Sequence, residues 1–171
     1  MPSLSESIRL CPVASDELPL VSKMAAKIWP EAYRGINDPE QTEYMLETIY
    51  SLEAMKKDIA ESIFYDWIHS EDKPVGFIAA GPVSYGEICF LHKCYVLTEA
   101  QGSGTGKAAL KLLFARLREA GTPVLKLRVN RKNSRAIGFY QTLGFAIEAE
   151  DILDIGEGIV MDDYIMAKYL S

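Results

Sequence analysis

The chain opens with a short apolar run, Ile8 to Val13, which predicts an edge strand. Asp16 stands where a helix wants its N-cap, with Pro19 tolerated in the first turn. Val21, Met24, Ala25 and Ile28 follow at helical spacing, and Trp29-Pro30 is expected to stop that helix. After a turn at Ile36-Asn37-Asp38-Pro39, a second helical stretch carries Met45, Ile49 and Leu52 on one side. Its continuation through Met55 and Ile59 reads either as the same helix or as a separate one. From Ser62 the period drops to two: Ile63, Tyr65 and Trp67 point one way and Phe64, Asp66 and Ile68 the other. Glu71-Asp72-Lys73 then reads as a hairpin turn, Pro74 to Gly81 as the return strand, and Gly86 to Val96 as a longer third strand.

The second half alternates differently. A glycine-rich segment, Gln101-Gly102-Ser103-Gly104-Thr105-Gly106-Lys107, leads into a helix with Leu110, Leu113, Phe114 and Leu117 on one face, stopped by Gly121. Val124 to Val129 is a strand, Ser134 to Leu143 a helix ended by Gly144, and Ala146–Ile155 with Ile159–Leu170 a final hairpin around Gly156-Glu157-Gly158. The order is an α/β mixture. Antiparallel strands come first, then a strand–loop–helix–strand crossover that implies one parallel pair in a mostly antiparallel sheet.

Composition narrows the class. With 171 residues, 49% of them hydrophobic, the chain suits one domain, residues 1–171, with a full core. Its net charge of -6 argues against a nucleic-acid surface, which needs a basic stripe, and mildly favours cationic partners. Cys11, Cys89 and Cys94 form no CxxC pair, and with two histidines no zinc cluster is expected, so no metal is assigned. No apolar run reaches the ~20 residues of a membrane span. Met1 to Glu6 lacks the pattern of a signal peptide, so a cytoplasmic location is expected.

The strongest local feature is the glycine segment between a strand and a helix. Glycines let backbone N–H groups turn toward a ligand, and the helix start adds unpaired donors and a positive dipole end, which suit phosphate oxygens. A ligand-free tight connection is the alternative. A Walker A loop fails twice: Gln101 stands where its first glycine belongs, and Ala108 follows Lys107. Gly104-Thr105-Gly106-Lys107-Ala108-Ala109 fits a loose dinucleotide fingerprint, yet Val129-Asn130 sits where that fold needs an acidic residue.

Gln101, Gly104 and Gly106 resemble the (Gln/Arg)-x-x-Gly-x-(Gly/Ala) pyrophosphate loop of the GNAT superfamily of N-acetyltransferases. A second match lies downstream. Asn130, Asn133, Ala136, Phe139 and Tyr140, then Gly144-Phe145, resemble the family's Asn-x-x-Asn-x-x-Ala-x-x-Phe-Tyr…Gly-Phe motif. The strand Leu91-His92-Lys93-Cys94-Tyr95-Val96 is similar to the family's fourth strand.

The resemblance implies a GNAT-like fold, with a splayed parallel strand pair flanked by helices, and acetyl-CoA as co-substrate. It places Cys94, Tyr95 and Val96 beside the pantetheine arm, and the amides of Gly102, Ser103, Gly104, Thr105, Gly106 and Lys107, with Gln101, on the pyrophosphate. Asn133 falls at a position that touches the cofactor. Lys107, Arg131, Lys132 and Arg135 offer a cationic rim, or ordinary solvated charge. Tyr140 matches the family's general acid, which protonates the departing thiolate. His92 is a candidate base or proton relay, as in members carrying histidine there, with Glu31, Glu87 and Glu148 in reserve.

Trp29, Glu31 and Tyr33, with Arg34, fall in the loop that selects the acceptor, where aromatic and acidic groups suit an ammonium. The function expected is acetyl transfer to a primary amine, a small molecule or polyamine, in a ternary complex. A protein N-terminal or lysine acetyltransferase and a non-catalytic acyl-CoA-binding module are the alternatives. A covalent acyl-Cys94 is less expected than a buried, apolar Cys94. Dimerisation is common in the family, so a homodimer is a further expectation.

Overall fold

The structure is a computed structural model that describes residues 7–170. The reading of Met1–Glu6 lies outside those residues. Seven strands form one sheet in the order β1-β2-β3-β4-β5-β7-β6. They are β1 (Ile8–Pro12), β2 (Phe64–Ser70), β3 (Lys73–Gly81), β4 (Cys89–Val96), β5 (Val124–Asn130), β6 (Ala146–Gly156) and β7 (Ile159–Tyr169). Only β4 and β5 run parallel, joined by the crossover helix α4 (Thr105–Glu119). Three helices, α1 (Leu18–Ala32), α2 (Pro39–Ile49) and α3 (Leu52–Ala60), precede β2, and α5 (Ser134–Thr142) precedes the last hairpin.

The alternation in β2 assigns the two faces. Ile63, Tyr65 and Trp67 pack with Leu18, Val21, Ile28 and Met55 of the first helices, whereas Phe64 and Ile68 face the layer of α4 and α5. Asp66 lies on that second face, nearly fully buried, and Arg116 of α4 meets it at 2.7 Å. This pair fastens α4 to β2. A buried carboxylate left without its partner costs several kcal/mol, so Arg116 answers the charge that the alternation placed indoors.

Three local expectations are corrected, and one left open is decided. Trp29-Pro30 does not stop the first helix, which continues to Ala32. Pro30 and Ala26, whose carbonyl loses its donor, both lie on the exposed face, where water serves that oxygen. Asp16 is not the helix cap but part of a 3-10 turn, Ser15–Glu17, and Glu17 precedes α1. The third strand begins at Cys89 rather than Gly86, because the Glu87 amide closes a turn on the Ser84 carbonyl at 3.1 Å. The tract from Met45 to Ile59 divides into two helices, since the Ser51 hydroxyl accepts from the Ala54 amide and caps α3.

Candidate active site

The site begins with a register error in the sheet. β4 and β5 pair over only three positions, Cys89 with Leu125, Phe90 with Lys126 and Leu91 with Leu127. On the other side of β4, Leu91 faces Ala80 and Lys93 faces Ala79, so His92 is an extra, unmatched residue. Such a bulge bends the strand and raises its twist. It also flips the alternation: Cys89 and Leu91 face the α4 layer, but Lys93 and Tyr95 face the first helices. Past the bulge β4 parts from β5, and a cleft of about 880 Å³ opens between them. Backbone N–H and C=O groups along the parted strands have no ladder partner there.

One wall of the cleft is backbone. Gln101 ties its base: its Nε2 donates to the Val96 carbonyl at 3.0 Å, and its Oε1 accepts from Arg135 of α5 at 2.8 Å. Gly104, the N-cap of α4, has φ +83°, a left-handed conformation that glycine adopts freely. That turn aims the first-turn amides of α4 into the cleft, where helix geometry leaves them unpaired. Gly102, Gly104, Thr105, Gly106 and Lys107 line the cleft, as do Cys94, Tyr95, Val96, Gln101 and Asn133. Ser103 does not; its hydroxyl bonds the Ala100 carbonyl and the Thr105 hydroxyl. The Asn133 side chain accepts from the Ala136 amide, capping α5 while bordering the cleft. Of the cationic rim, Lys107 and Arg135 line the cleft, whereas Arg131 pairs with Asp162 and Glu150 away from it. A row of unpaired amides, a left-handed turn and a parted strand edge together fit a pyrophosphate on an extended arm.

Where the two walls meet, Tyr140 of α5 and Cys94 of β4 both line the cleft. Burial pushes the Tyr140 phenol well above its ordinary 10, so it keeps its proton at neutral pH. Burial likewise drives the Cys94 thiol up to about 12, which leaves almost no thiolate to act as a nucleophile. His92 Nε2 lies 3.2 Å from the Gly81 carbonyl oxygen. A carbonyl only accepts, so Nε2 carries the hydrogen and Nδ1 keeps its lone pair. Burial lowers the His92 pKa from 6.5, which holds the ring neutral at physiological pH.

The opposite wall is made of side chains. Trp29 and Glu31 belong to the last turn of α1 and Tyr33 is its C-cap, so the first two lie on a helix rather than in the expected loop. Trp29 is 3% exposed and touches Tyr33, Tyr50 and Tyr95 at ring-centroid distances of 4.5, 5.6 and 5.6 Å. The Tyr33 and Tyr95 hydroxyls are bonded at 2.8 Å. Glu31 borders the cleft, with its carboxylate held by Arg34. Glu148 sits on β6, where Lys126 at 2.8 Å and the Tyr169 hydroxyl hold its carboxyl below the ordinary range.

Three charged residues of the cleft escaped the sequence reading. Lys93, 6% exposed, bonds Asp58 of α3 at 3.0 Å and Tyr65, and lies over the Tyr50 ring. Asp163 of β7 is 1% exposed and accepts from Arg128 Nε of β5 at 3.1 Å. The only signal for these groups was a charge at an inward position of an apolar strand. Among the described residues, no group of three or more His, Cys, Asp or Glu side chains is placed to hold a metal ion, and no helix is long and apolar enough to cross a membrane.

Comparison with known proteins agrees with this geometry. The sequence profile of the Acetyltransferase (GNAT) family matches residues 23–145. A mycothiol acetyltransferase of Nocardiopsis dassonvillei is 29% identical over 166 residues, covering 89% of this chain; the chain spans 46% of that relative's length. The crystal structure of the PaiA N-acetyltransferase of Thermoplasma acidophilum in complex with coenzyme A superposes with a TM-score of 0.80 at 24% identity, covering 95% of this chain and 99% of that one. Arabidopsis thaliana Naa50 in complex with the bisubstrate analogue CoA-Ac-MVNAL gives 0.67 at 21% identity, covering 95% and 97%. With the matching profile over most of its length and the parted β4–β5 pair at its centre, the chain belongs to the acetyltransferase (GNAT) family, whose enzymes use acetyl-CoA as co-substrate and act on amine acceptors.

Proposed function

We propose that the chain transfers the acetyl group of acetyl-CoA directly to a primary amine bound in the same cleft, a small molecule rather than a protein. The observation that carries this reading is the meeting of two unlike walls at Tyr140: unpaired backbone amides on one side, aromatic side chains and a carboxylate on the other. Bound acetyl-CoA supplies an acetyl carbon activated as a thioester.

The chain's own residues do the rest. First-turn amides of α4 and the Gly102–Gly104 turn hold the pyrophosphate, and the parted edge of β4 at Cys94–Val96 pairs with the extended arm. An amine arrives mostly protonated, since its ordinary pKa is about 10. His92 Nδ1 takes up the proton it must lose, directly or through water. Nitrogen then bonds the thioester carbonyl carbon, and N–H groups of the unpaired stretch of β4 donate to the oxygen that becomes negative. As the carbon–sulfur bond breaks, the Tyr140 hydroxyl gives its proton to the sulfur. The proton that the nitrogen sheds as the amide forms restores the Tyr140 phenol, His92 releases its own to solvent, and the products are the acetamide and coenzyme A. The Cys94 thiol, protonated at neutral pH, takes no covalent part.

The test is release of free coenzyme A thiol from acetyl-CoA, with and without primary amines, followed by mass detection of the acetylated amine. Thiol release that depends on the amine is expected. Release independent of any amine, or tighter binding of ATP or NAD than of acetyl-CoA, overturns the reading.

A further inference from the structure

Three neighbouring strands beside the cleft, β5, β7 and β6, carry an unbalanced charge. Arg128 of β5 meets two carboxylates across the sheet, Asp163 of β7 through Nε at 3.1 Å and Asp151 of β6 through Nη1. The register explains the meeting: Asp151 and Asp163 are directly paired across β6 and β7, one diagonal step from Arg128. Two negative charges surround one positive charge, so the cluster carries a net charge of about -1 when all three groups are ionised.

That surplus has a direction. Asp163 is 1% exposed, borders the cleft, and its Oδ1 has no hydrogen-bond partner among the described residues. Its charge reaches Tyr33 of the same wall, whose phenol is pushed up chiefly by burial and further by this carboxylate. An unpaired buried carboxylate oxygen is costly unless a cation or donor meets it. Glu31 is already engaged by Arg34. Asp163, unlike the half-exposed Glu31, is therefore the buried carboxylate of this wall with an oxygen left for a ligand.

We infer that Asp163 receives the acceptor's ammonium group and that the acceptor is a monoamine on an apolar, aromatic-sized body. This rests on the cleft being an acetyltransferase site and names what occupies its second half. The body's chemistry follows from the wall above Asp163: Trp29, Tyr33, Tyr50, Tyr95 and Met161 present rings and a thioether. A polyamine would bring a second ammonium into this wall. The place for it beside the Tyr50 ring is already taken by Lys93, whose Nζ lies 5.1 Å from the ring centre. Lys93, held there by Asp58 at 3.0 Å, fills that seat, so the wall offers no second cation place over the Tyr50 ring while Asp163 offers one.

The experiment titrates 2-phenylethylamine and spermidine separately into the protein saturated with coenzyme A, reading heat. Phenylethylamine is expected to bind at least about tenfold more tightly than spermidine. Asp163→Asn is expected to weaken phenylethylamine by about tenfold or more and to leave coenzyme A affinity within about twofold. Met161→Lys keeps the Asp163–Arg128 pair but sets a competing ammonium two residues along the same strand face, and is expected to give the same loss. Unchanged phenylethylamine affinity in either variant that still binds coenzyme A overturns the role of Asp163. Tighter binding of spermidine overturns the monoamine. Absence of phenylethylamine binding in the unaltered protein overturns both. Retained coenzyme A binding in that sample leaves the acetyltransferase reading standing, whereas its loss removes that reading instead.

Discussion

The two walls of the cleft are built by opposite means. The cofactor wall comes from nearly continuous chain, Cys94 to Tyr140, and works through backbone amides and a glycine turn. The acceptor wall is assembled from α1, α2, β4, β5 and β7, and works through rings and one carboxylate. A backbone wall is indifferent to most side-chain changes but sensitive to conformation at a few glycines. A side-chain wall is the reverse: it tolerates conformational adjustment, and single truncations retune what it binds. The net charge of -6 is compatible with an anionic cofactor for this reason, because the amides that would hold it enter no charge count.

The largest effect is expected at the seam, where neither wall's binding should change. Tyr140→Phe keeps the ring packed against Phe139 and Phe145 and removes only the proton that the sulfur needs. Turnover should fall by about 100- to 1,000-fold, with coenzyme A affinity and the amine KM within about twofold. Steady-state kinetics with calorimetric coenzyme A binding checks it. A turnover left intact removes Tyr140 from proton transfer.

The next effect separates the walls. Gly104→Val forces a β-branched residue to φ +83°, a strain of about 1–2 kcal/mol that the loop relieves by turning its amides away. Coenzyme A affinity should drop by about tenfold or more, while phenylethylamine binding to the coenzyme-free protein stays unchanged. If both ligands weaken together, the walls are one cooperative unit and the division drawn above fails.

The same division decides what could be read from sequence. The cofactor wall was legible because its chemistry is local: Gln101, Gly104 and Gly106 in one turn, Asn133 to Tyr140 in another, each on the predicted element. The crossover and its single parallel pair followed from element order alone. The resemblance implied a bulge on this strand, but its position at His92 was not legible, since it exists only as a mismatch between β3 and β4, and nothing within Leu91 to Lys93 announces it. Nor was the Asp163–Arg128–Asp151 cluster, which depends on β7 lying between β5 and β6. Trp29, Glu31 and Tyr33 were found as a group, but the helix carrying the first two depended on Pro30 facing water, a tertiary fact.

The smallest effect is the most diagnostic for the parted strand itself. His92 sits on the bulge, between the walls, with Nε2–H held by Gly81 and Nδ1 free. Its pKa lies below 6.5, so a base of this kind is active above that pH and lost as acid protonates Nδ1. The amine complicates a simple pH profile, because its own deprotonation near 10 raises kcat/KM in any variant. Dividing the wild-type kcat/KM by that of His92→Gln at each pH cancels the amine. The ratio should be constant at about tenfold on the alkaline side and decline toward one as pH falls through the His92 pKa. A ratio near one at every pH makes the histidine a sheet residue bonded to Gly81 and nothing more. The bulge would then serve only to part β4 from β5, and proton removal would fall to water within the cleft.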